Sequence, residues 1–336
     1  MTTVQIKRSD RIHRTRRKKQ ILLGGIVLCL LLLTVLLLTQ CRKSSAESTA
    51  GSAGSVENPA SMPERTAAES VSSVPSVDPT TDDWMPLPQP EAALSSGSLV
   101  LVNQSHAYDP ALPQILSVYE NKTDSYLVKD IYLSVTPDAM EALNAWMDAF
   151  SEETGLSDIN IVAGYRSYED QVFLYQNAVN TKGQAHADAY LALPGHSEHH
   201  TGLAVDLDTF DVAAGTSGGF DGTGAYAWAV AHAWEYGFIQ RYPPHKSNIT
   251  GISYESWHFR YVGLPHACVM AENGLCLEEY IDYLRGFPFS GEHLQVTCLG
   301  RSYEIYYCPR DQVYVPVNGT YTISGNNVDG FIVTIG

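Results

Sequence analysis

Between Pro194 and Asp208 the chain reads PGHSEHHTGLAVDLD, three histidines in five positions followed by two aspartates. Imidazole and carboxylate are the donors of catalytic metal centres, in which three protein ligands leave one position open for water. His199, Asp206 and His258 are the candidate ligands, and Glu255 stands beside His258 in ESWHFRYVG. A carboxylate next to such a centre can move protons. The bland alternative is open from spacing alone, because aspartates and histidines near turns are mostly solvated or cap helices.

These residues can meet only if the chain turns. Fully extended, His199 and Asp206 would lie roughly 23 Å apart. Gly202 is the residue that permits the reversal. After it, LAVDLD alternates, with Leu203, Val205 and Leu207 on one face and Ala204, Asp206 and Asp208 on the other. The apolar face enters a core while Asp206 faces the site, and small Ala204 leaves room. In ESWHFRYVG, His258, Arg260 and Val262 share a face opposite Trp257, Phe259 and Tyr261. Regular alternation puts Glu255 on the wrong face, so a joint role requires a bend at Ser256.

The elements around them are mixed. TPDAMEALNAWMDAFSEETG predicts a helix capped by Thr136, with Pro137 first and Met140, Leu143, Met147 and Phe150 on one face. INIVAGYRS predicts a strand, and SYEDQVFLYQNAVN a helix with Ser167 and Asp170 at capping-box spacing. GAYAWAVAHAWEYG predicts one helix ending at Gly237. From residue 289 to 336, alternation broken by Gly, Pro and Asn-Gly predicts a small β-rich unit. The fold class is α+β.

Charge divides the chain. Residues 1–43 hold 10 of the 21 Lys and Arg and a single acid, Asp10, leaving 11 basic against 36 acidic residues, a formal −25. So acidic a body repels phosphate, which excludes nucleic acid as a partner. After the basic tail, residues 1–20, comes the uncharged run Ile21–Thr39, long enough as a helix to cross a bilayer at roughly 28 Å. The excess of Lys and Arg predicts an N-terminus inside and a body outside the cell. Residues 40–97, rich in Ser, Ala, Thr and Pro, are expected to form a disordered spacer. A catalytic domain at 98–288 and the β unit at 289–336 complete the organisation. Outside the cytoplasm, Cys268, Cys276, Cys298 and Cys308 permit two disulfides, with buried free thiols as the alternative.

GYRSYEDQVFLY, PGHSEHHTGLAVDLD, YGFIQRYP and ESWHFRYVG together resemble the zinc D-alanyl-D-alanine carboxypeptidases of the vancomycin-resistance type. These belong to the group that includes lysostaphin-type peptidases and the hedgehog signalling domain. The family pattern S-x-H-x-x-G-x-A-x-D is matched at Ser197, His199, Gly202, Ala204 and Asp206, and E-x-W-H at Glu255, Trp257 and His258. The likeness spans roughly Leu99 to Gly286. It implies a hedgehog/DD-peptidase-like domain with a central antiparallel sheet, zinc held by His199, Asp206 and His258, and Glu255 as general base. Arg166 would hold the scissile carbonyl or the substrate carboxylate, where the alternative is a surface arginine beside a turn. Ser167, Gln171 and Ser197 are further candidate substrate contacts, Ser167 being equally a helix cap.

Of the remaining groups, His200 is not expected to ligate. His196 is open to a loop role, His232 to packing, Asp208 to orienting a ligand and Arg241 to a structural ion pair. The implied activity is removal of the terminal D-alanine from peptidoglycan stem peptides. L,D-carboxypeptidase or endopeptidase action on the same peptides is the alternative, and a catalytically silent wall-binding domain is the non-enzyme alternative. The intact Glu255 and ligand set argue against the last.

Overall fold

The strand-forming runs around the histidines assemble into one six-stranded sheet. The structure, a computed structural model, describes residues 83–108 and 112–336. Strand order is Leu127–Val128, Ile159–Ala163, Ala204–Asp211, His258–Tyr261 and Phe238–Gln240, with Thr216–Ser217 paired to the far end of Ala204–Asp211. Every pair is antiparallel except the first. The expected antiparallel sheet therefore has one parallel edge. The cause is the connection: the chain leaves Leu127–Val128, crosses through the helix Pro137–Thr154 and returns in Ile159–Ala163. A crossover of that kind delivers a parallel neighbour.

The crossover helix buries Met140, Leu143, Met147 and Phe150, as its spacing predicts, together with Trp146. Trp146 packs on Phe238 and Phe259 of the sheet, with ring centroids 5.2 and 4.9 Å apart. Its start differs from expectation. Thr136 occupies the cap position, but its side chain makes no cap bond and its Oγ1 is buried without a partner. Pro137 at the first turn, which has no N–H to satisfy, and Gly155 in the left-handed conformation after the last turn define the ends.

Two further expectations are corrected. The single helix expected before Gly237 is split into 3-10, α and 3-10 segments at Gly224–Tyr226, Ala227–His232 and Ala233–Tyr236. The second break lies where Trp146 Nε1 donates to the carbonyl of Ala229 (3.1 Å), the acceptor a continuous helix offers to Ala233. The spacer expected to reach Gly97 gives way earlier. Trp84–Pro86 pairs with Tyr314–Pro316, and Trp84 packs against Phe289 at 5.0 Å. Trp84, Leu87 and Leu94 supply the apolar surface that the Ser- and Pro-rich composition obscures. The basic tail, the apolar run Ile21–Thr39 and the spacer through residue 82 lie outside the described residues. Among the described residues no helix is long and apolar enough to cross a membrane.

The C-terminal strands Leu294–Cys298, Arg301–Pro309, Gly330–Ile335 and Tyr321–Gly325 form, in that order, an antiparallel sheet. This sheet shares a core with the catalytic region: Ile305 and Ile332 cluster with Leu99, Val262, Met270, Leu277 and Ile281. The four cysteines are all buried and free, so the disulfides their even number permits are not formed.

Candidate active site

His199 sits in a 3-10 turn, Glu198–Thr201, ended by Gly202 in the left-handed conformation (φ 69°). That reversal carries the chain into the strand Ala204–Asp211. The strand's register against His258–Tyr261 then pairs Asp206 directly with His258, 52 residues away. Direct cross-strand partners project from the same face. The result gathers one atom each from His199, Asp206 and His258 within 4.8 Å of one another. His199 Nε2 lies 3.3 Å from Asp206 Oδ2, and His258 Nδ1 lies 2.9 Å from Asp206 Oδ1.

The neighbours select which ring nitrogen is free. His199 Nδ1 donates to the carbonyl of Gly164 (2.7 Å), leaving Nε2 as the lone-pair atom facing Asp206. His258 Nε2 faces Glu198 Oε2 at 3.4 Å, leaving Nδ1 for the site. Residue 164 must be glycine, because a Cβ there would collide with the carbonyl oxygen of Ser134. Tetrahedral zinc with bonds of roughly 2.1 Å has ligand–ligand edges of about 3.4 Å. The observed separations and the N, O, N donor set fit that ion.

Glu255 reaches the same point from outside the strand. Its N–H donates to the carbonyl of Tyr242 (3.2 Å), and the turn at Ser256–Trp257 brings Glu255 Oε2 to 4.0 Å from His258 Nδ1. Ser256 Oγ fixes that turn by donating to the carbonyl of Phe220 (2.6 Å). The bend the alternation requires is therefore present. Burial pushes the Glu255 carboxyl up to about 8, with Asp206 adding to the effect and His258 and Arg166 opposing it. Burial and the nearby Arg166 guanidinium lower His199 from the ordinary histidine value. Burial would raise Asp206, but the two imidazoles outweigh it and hold the carboxyl well below the carboxylate range.

Arg166 enters from GYRS. Its Nη2 lies 4.0 Å from Asp206 Oδ2, and its Nη1 donates to Gln171 Oε1 (2.9 Å). Gln171 is buried, with its Nε2 donating to the carbonyl of Ala192 (2.7 Å), so it is a brace for Arg166. Arg166, Gln171, Ser197, Glu255 and the three ligand candidates line one cavity of about 840 Å³. Ser167 does not line it. Its Oγ accepts from the Asp170 N–H (3.1 Å) and donates to Asp170 Oδ2 (2.7 Å), which makes it the cap of the helix Tyr168–Lys182 and corrects the substrate-contact expectation.

His200, His196 and His232 serve the fold. His200 Nδ1 donates to the carbonyl of Arg166 (2.7 Å) and its Nε2 accepts from the Gly195 N–H (3.1 Å). His196 Nδ1 bonds the carbonyl of Asn103 (2.8 Å), and His232 stacks on Trp228 at 4.2 Å. Asp208 accepts from Ser217 Oγ and the Thr209 N–H, engaging neither histidine of the site.

Glu198 is a functional group that no local sequence pattern marks. It is wholly buried, and its Oε1 accepts from Arg241 Nε and Arg260 Nη1, both at 2.8 Å. Arg241 forks onto Glu278 at 2.9 and 2.7 Å, and Arg260 Nη2 donates to the carbonyls of Ser98 and Val100, both at 2.9 Å. Burial alone would raise Glu198; Arg241, Arg260 and His258 hold it far below the carboxylate range. Two carboxylates and two guanidiniums thus form a neutral chain behind His258. Its only local sign in sequence is a glutamate between Ser197 and His199.

The sequence profile described as VanY, D-alanyl-D-alanine carboxypeptidase, matches residues 132–264. The chain is 34% identical over 253 residues to a D-alanyl-D-alanine carboxypeptidase of Enterococcus faecium, covering 73% of this chain and 77% of that protein. It is 40% identical over 161 residues to the bifunctional D-Ala-D-Ala dipeptidase and carboxypeptidase VanXYC of Enterococcus gallinarum, covering 46% of this chain and 80% of that protein. Among solved structures, the vancomycin-resistance D,D-dipeptidase VanXYg, in complex with a D-Ala-D-Ala phosphinate analogue, superposes with a TM-score of 0.66 at 32% identity. That match covers 75% of this chain and 98% of the other. With the Enterococcus faecium relative matched over more than two thirds of its length, and with the candidate ligands, the buried carboxyl and the braced arginine in one cleft, the chain belongs to the family of D-alanyl-D-alanine carboxypeptidases.

Proposed function

We propose that this chain is a zinc-dependent carboxypeptidase that removes the terminal D-alanine from peptidoglycan stem peptides. The observation that carries the reading is the convergence of His199 Nε2, Asp206 and His258 Nδ1, with Glu255 Oε2 4.0 Å from the last. These three residues would hold the ion. Bound zinc supplies Lewis acidity, polarising the scissile carbonyl and making water a better nucleophile near neutral pH. Glu255, buried at the edge of the triad, ionises more readily beside a bound cation. It takes the proton of the attacking water at its carboxylate and passes it to the leaving amine. Arg166, held by Gln171, offers a guanidinium face for the carbonyl oxygen or the terminal carboxylate. Ser197, buried on the cavity wall, is a further substrate contact.

The run Ile21–Thr39 supports a single-pass anchor, with the N-terminus inside and the catalytic region outside, where stem peptides are found. The test of the activity uses defined pentapeptide and tetrapeptide stems with the zinc-loaded chain, with and without a chelator, read by mass spectrometry. Loss of one alanine from the pentapeptide, abolished by the chelator, is expected. Loss from the tetrapeptide alone would assign L,D cleavage. No cleavage of either would overturn the enzyme reading.

A further inference from the structure

Four lysines lie among the described residues, and two of them are committed. Lys122 donates to the carbonyls of Thr123 (2.7 Å) and Tyr126 (2.9 Å), and Lys246 pairs with Glu279 (2.7 Å). Lys129 and Lys182 make no ion pair among the described residues, yet both line the active-site cavity. In a body with 11 basic and 36 acidic residues, two such ammonium groups on one cleft concentrate positive charge there.

Their placement is set by the elements that form the cleft. The helix Tyr168–Lys182 lays Gln171, Leu174, Ala178 and Lys182 along the cavity at helical spacing. Gln171 braces Arg166 at the inner end, and Lys182 is the helix's last residue. Eleven residues at 1.5 Å each separate them by roughly 16 Å. Lys129 follows the edge strand Leu127–Val128, and its N–H donates to the carbonyl of Ile161 (3.0 Å), just before Val162 and Ala163 on the cavity wall. The carboxylates on the same cavity gather elsewhere. Asp206 is itself a metal-ligand candidate, Glu198 and Glu255 flank His258, and Asp170 belongs to the first turn of the helix. The carboxylates of the cleft thus lie at the reaction centre and the first turn of the helix, while Lys182 stands at the helix's far end and Lys129 beside Ile161 on the sheet edge.

We propose that Lys129 and Lys182 bind a carboxylate of the stem peptide upstream of the cleaved bond, making them specificity-determining residues. The inference rests on the carboxypeptidase reading above. An extended peptide advances about 3.3 Å per residue, so roughly 16 Å accommodates about five residues. A terminal D-alanine at Arg166 then puts the acidic second residue of a pentapeptide within reach of a lysine side chain. A diacid at the third position offers the same group one residue nearer.

The test measures kcat and KM of the full, zinc-loaded chain and of K129Q/K182Q. Four substrates are compared: a pentapeptide with D-glutamate at position two and lysine at three; its D-isoglutamine counterpart; the isoglutamine peptide with diaminopimelate at three; and diacetyl-lysyl-D-alanyl-D-alanine, which lacks an upstream acid. Losing charge-assisted hydrogen bonds should raise KM for an acidic peptide roughly ten- to hundredfold. kcat should be preserved, and the diacetyl tripeptide should be cleaved as by wild type. A loss confined to the first peptide places the carboxylate at position two, and one confined to the third places it at position three. Equal loss on all four, or loss on none, overturns the proposal. Calorimetric binding of the alanine-trimmed acidic peptide gives a readout independent of turnover. Wild type that binds this product in a lysine-dependent way but cleaves nothing would overturn the activity while supporting the subsite.

Discussion

Replacing Glu198 with Gln removes a negative charge that three groups share. Oε1 lies 2.8 Å from both Arg241 and Arg260, and Oε2 faces His258 at 3.4 Å. At an effective dielectric near 20, each pair of charges about 4 Å apart is worth roughly 4 kcal/mol. Two pairs give about 8 kcal/mol of attraction, against several kcal/mol for desolvating the carboxylate. Glutamine keeps the shape and one acceptor but leaves Arg241 with Glu278 and Arg260 with backbone carbonyls alone, and truncated buried pairs typically cost about 3–5 kcal/mol. The same change removes the anion behind the His258 ring, and such supporting contacts change metal affinity by roughly 10–100-fold. Urea unfolding of wild type and E198Q reads the first effect, and zinc competition with a chromophoric chelator reads the second. Stability within about 1 kcal/mol of wild type, together with unchanged zinc affinity, would show that Glu198 neither holds the two arginines nor supports His258.

Gly164→Ala should weaken zinc binding by roughly tenfold, since its Cβ drives the strand from Ser134 and displaces the carbonyl that orients His199; chelator competition reads this. Glu278 is held below the ordinary glutamate value because Arg241 and Asn103 outweigh its burial. Its contribution is therefore complete above the unfolded value of about 4.3 and is lost as pH falls through the lower folded value. Urea unfolding should show E278Q less stable than wild type at pH 7, with the gap narrowing towards pH 3. Trp84→Ala should cost roughly 2–4 kcal/mol in thermal or urea unfolding, because this residue packs on Phe289 and Tyr306; a spacer tryptophan would cost nothing.

What could be read in the sequence follows the range of the interactions. The alternation after Gly202 displays Asp206 on the open face, and ESWHFRYVG displays His258 in the same way, so each half of the triad is local. Their meeting depends on register, Asp206 opposite His258, which a family pattern supplies and a periodicity does not. Ser167 is the reverse case: its cap spacing is a local signal, and local geometry decides its role. Glu198 was invisible because Arg241, Arg260 and Glu278 come from separate segments, and only the folded sheet and helix Leu277–Leu284 bring them together. The split helix before Gly237 likewise depends on Trp146, far away in the chain. Trp84 escaped because a short apolar cluster within a Ser- and Pro-rich run becomes a strand only against Tyr314–Pro316.

In the proposed reaction His199, Asp206 and His258 hold zinc while Glu255 moves the proton. Zinc content and D-alanine release, measured in parallel on wild type and E255Q, separate the two roles. E255Q should retain about one zinc per chain while turnover falls by at least roughly a hundredfold. Wild-type rates of D-alanine release from zinc-loaded E255Q would contradict the role of Glu255.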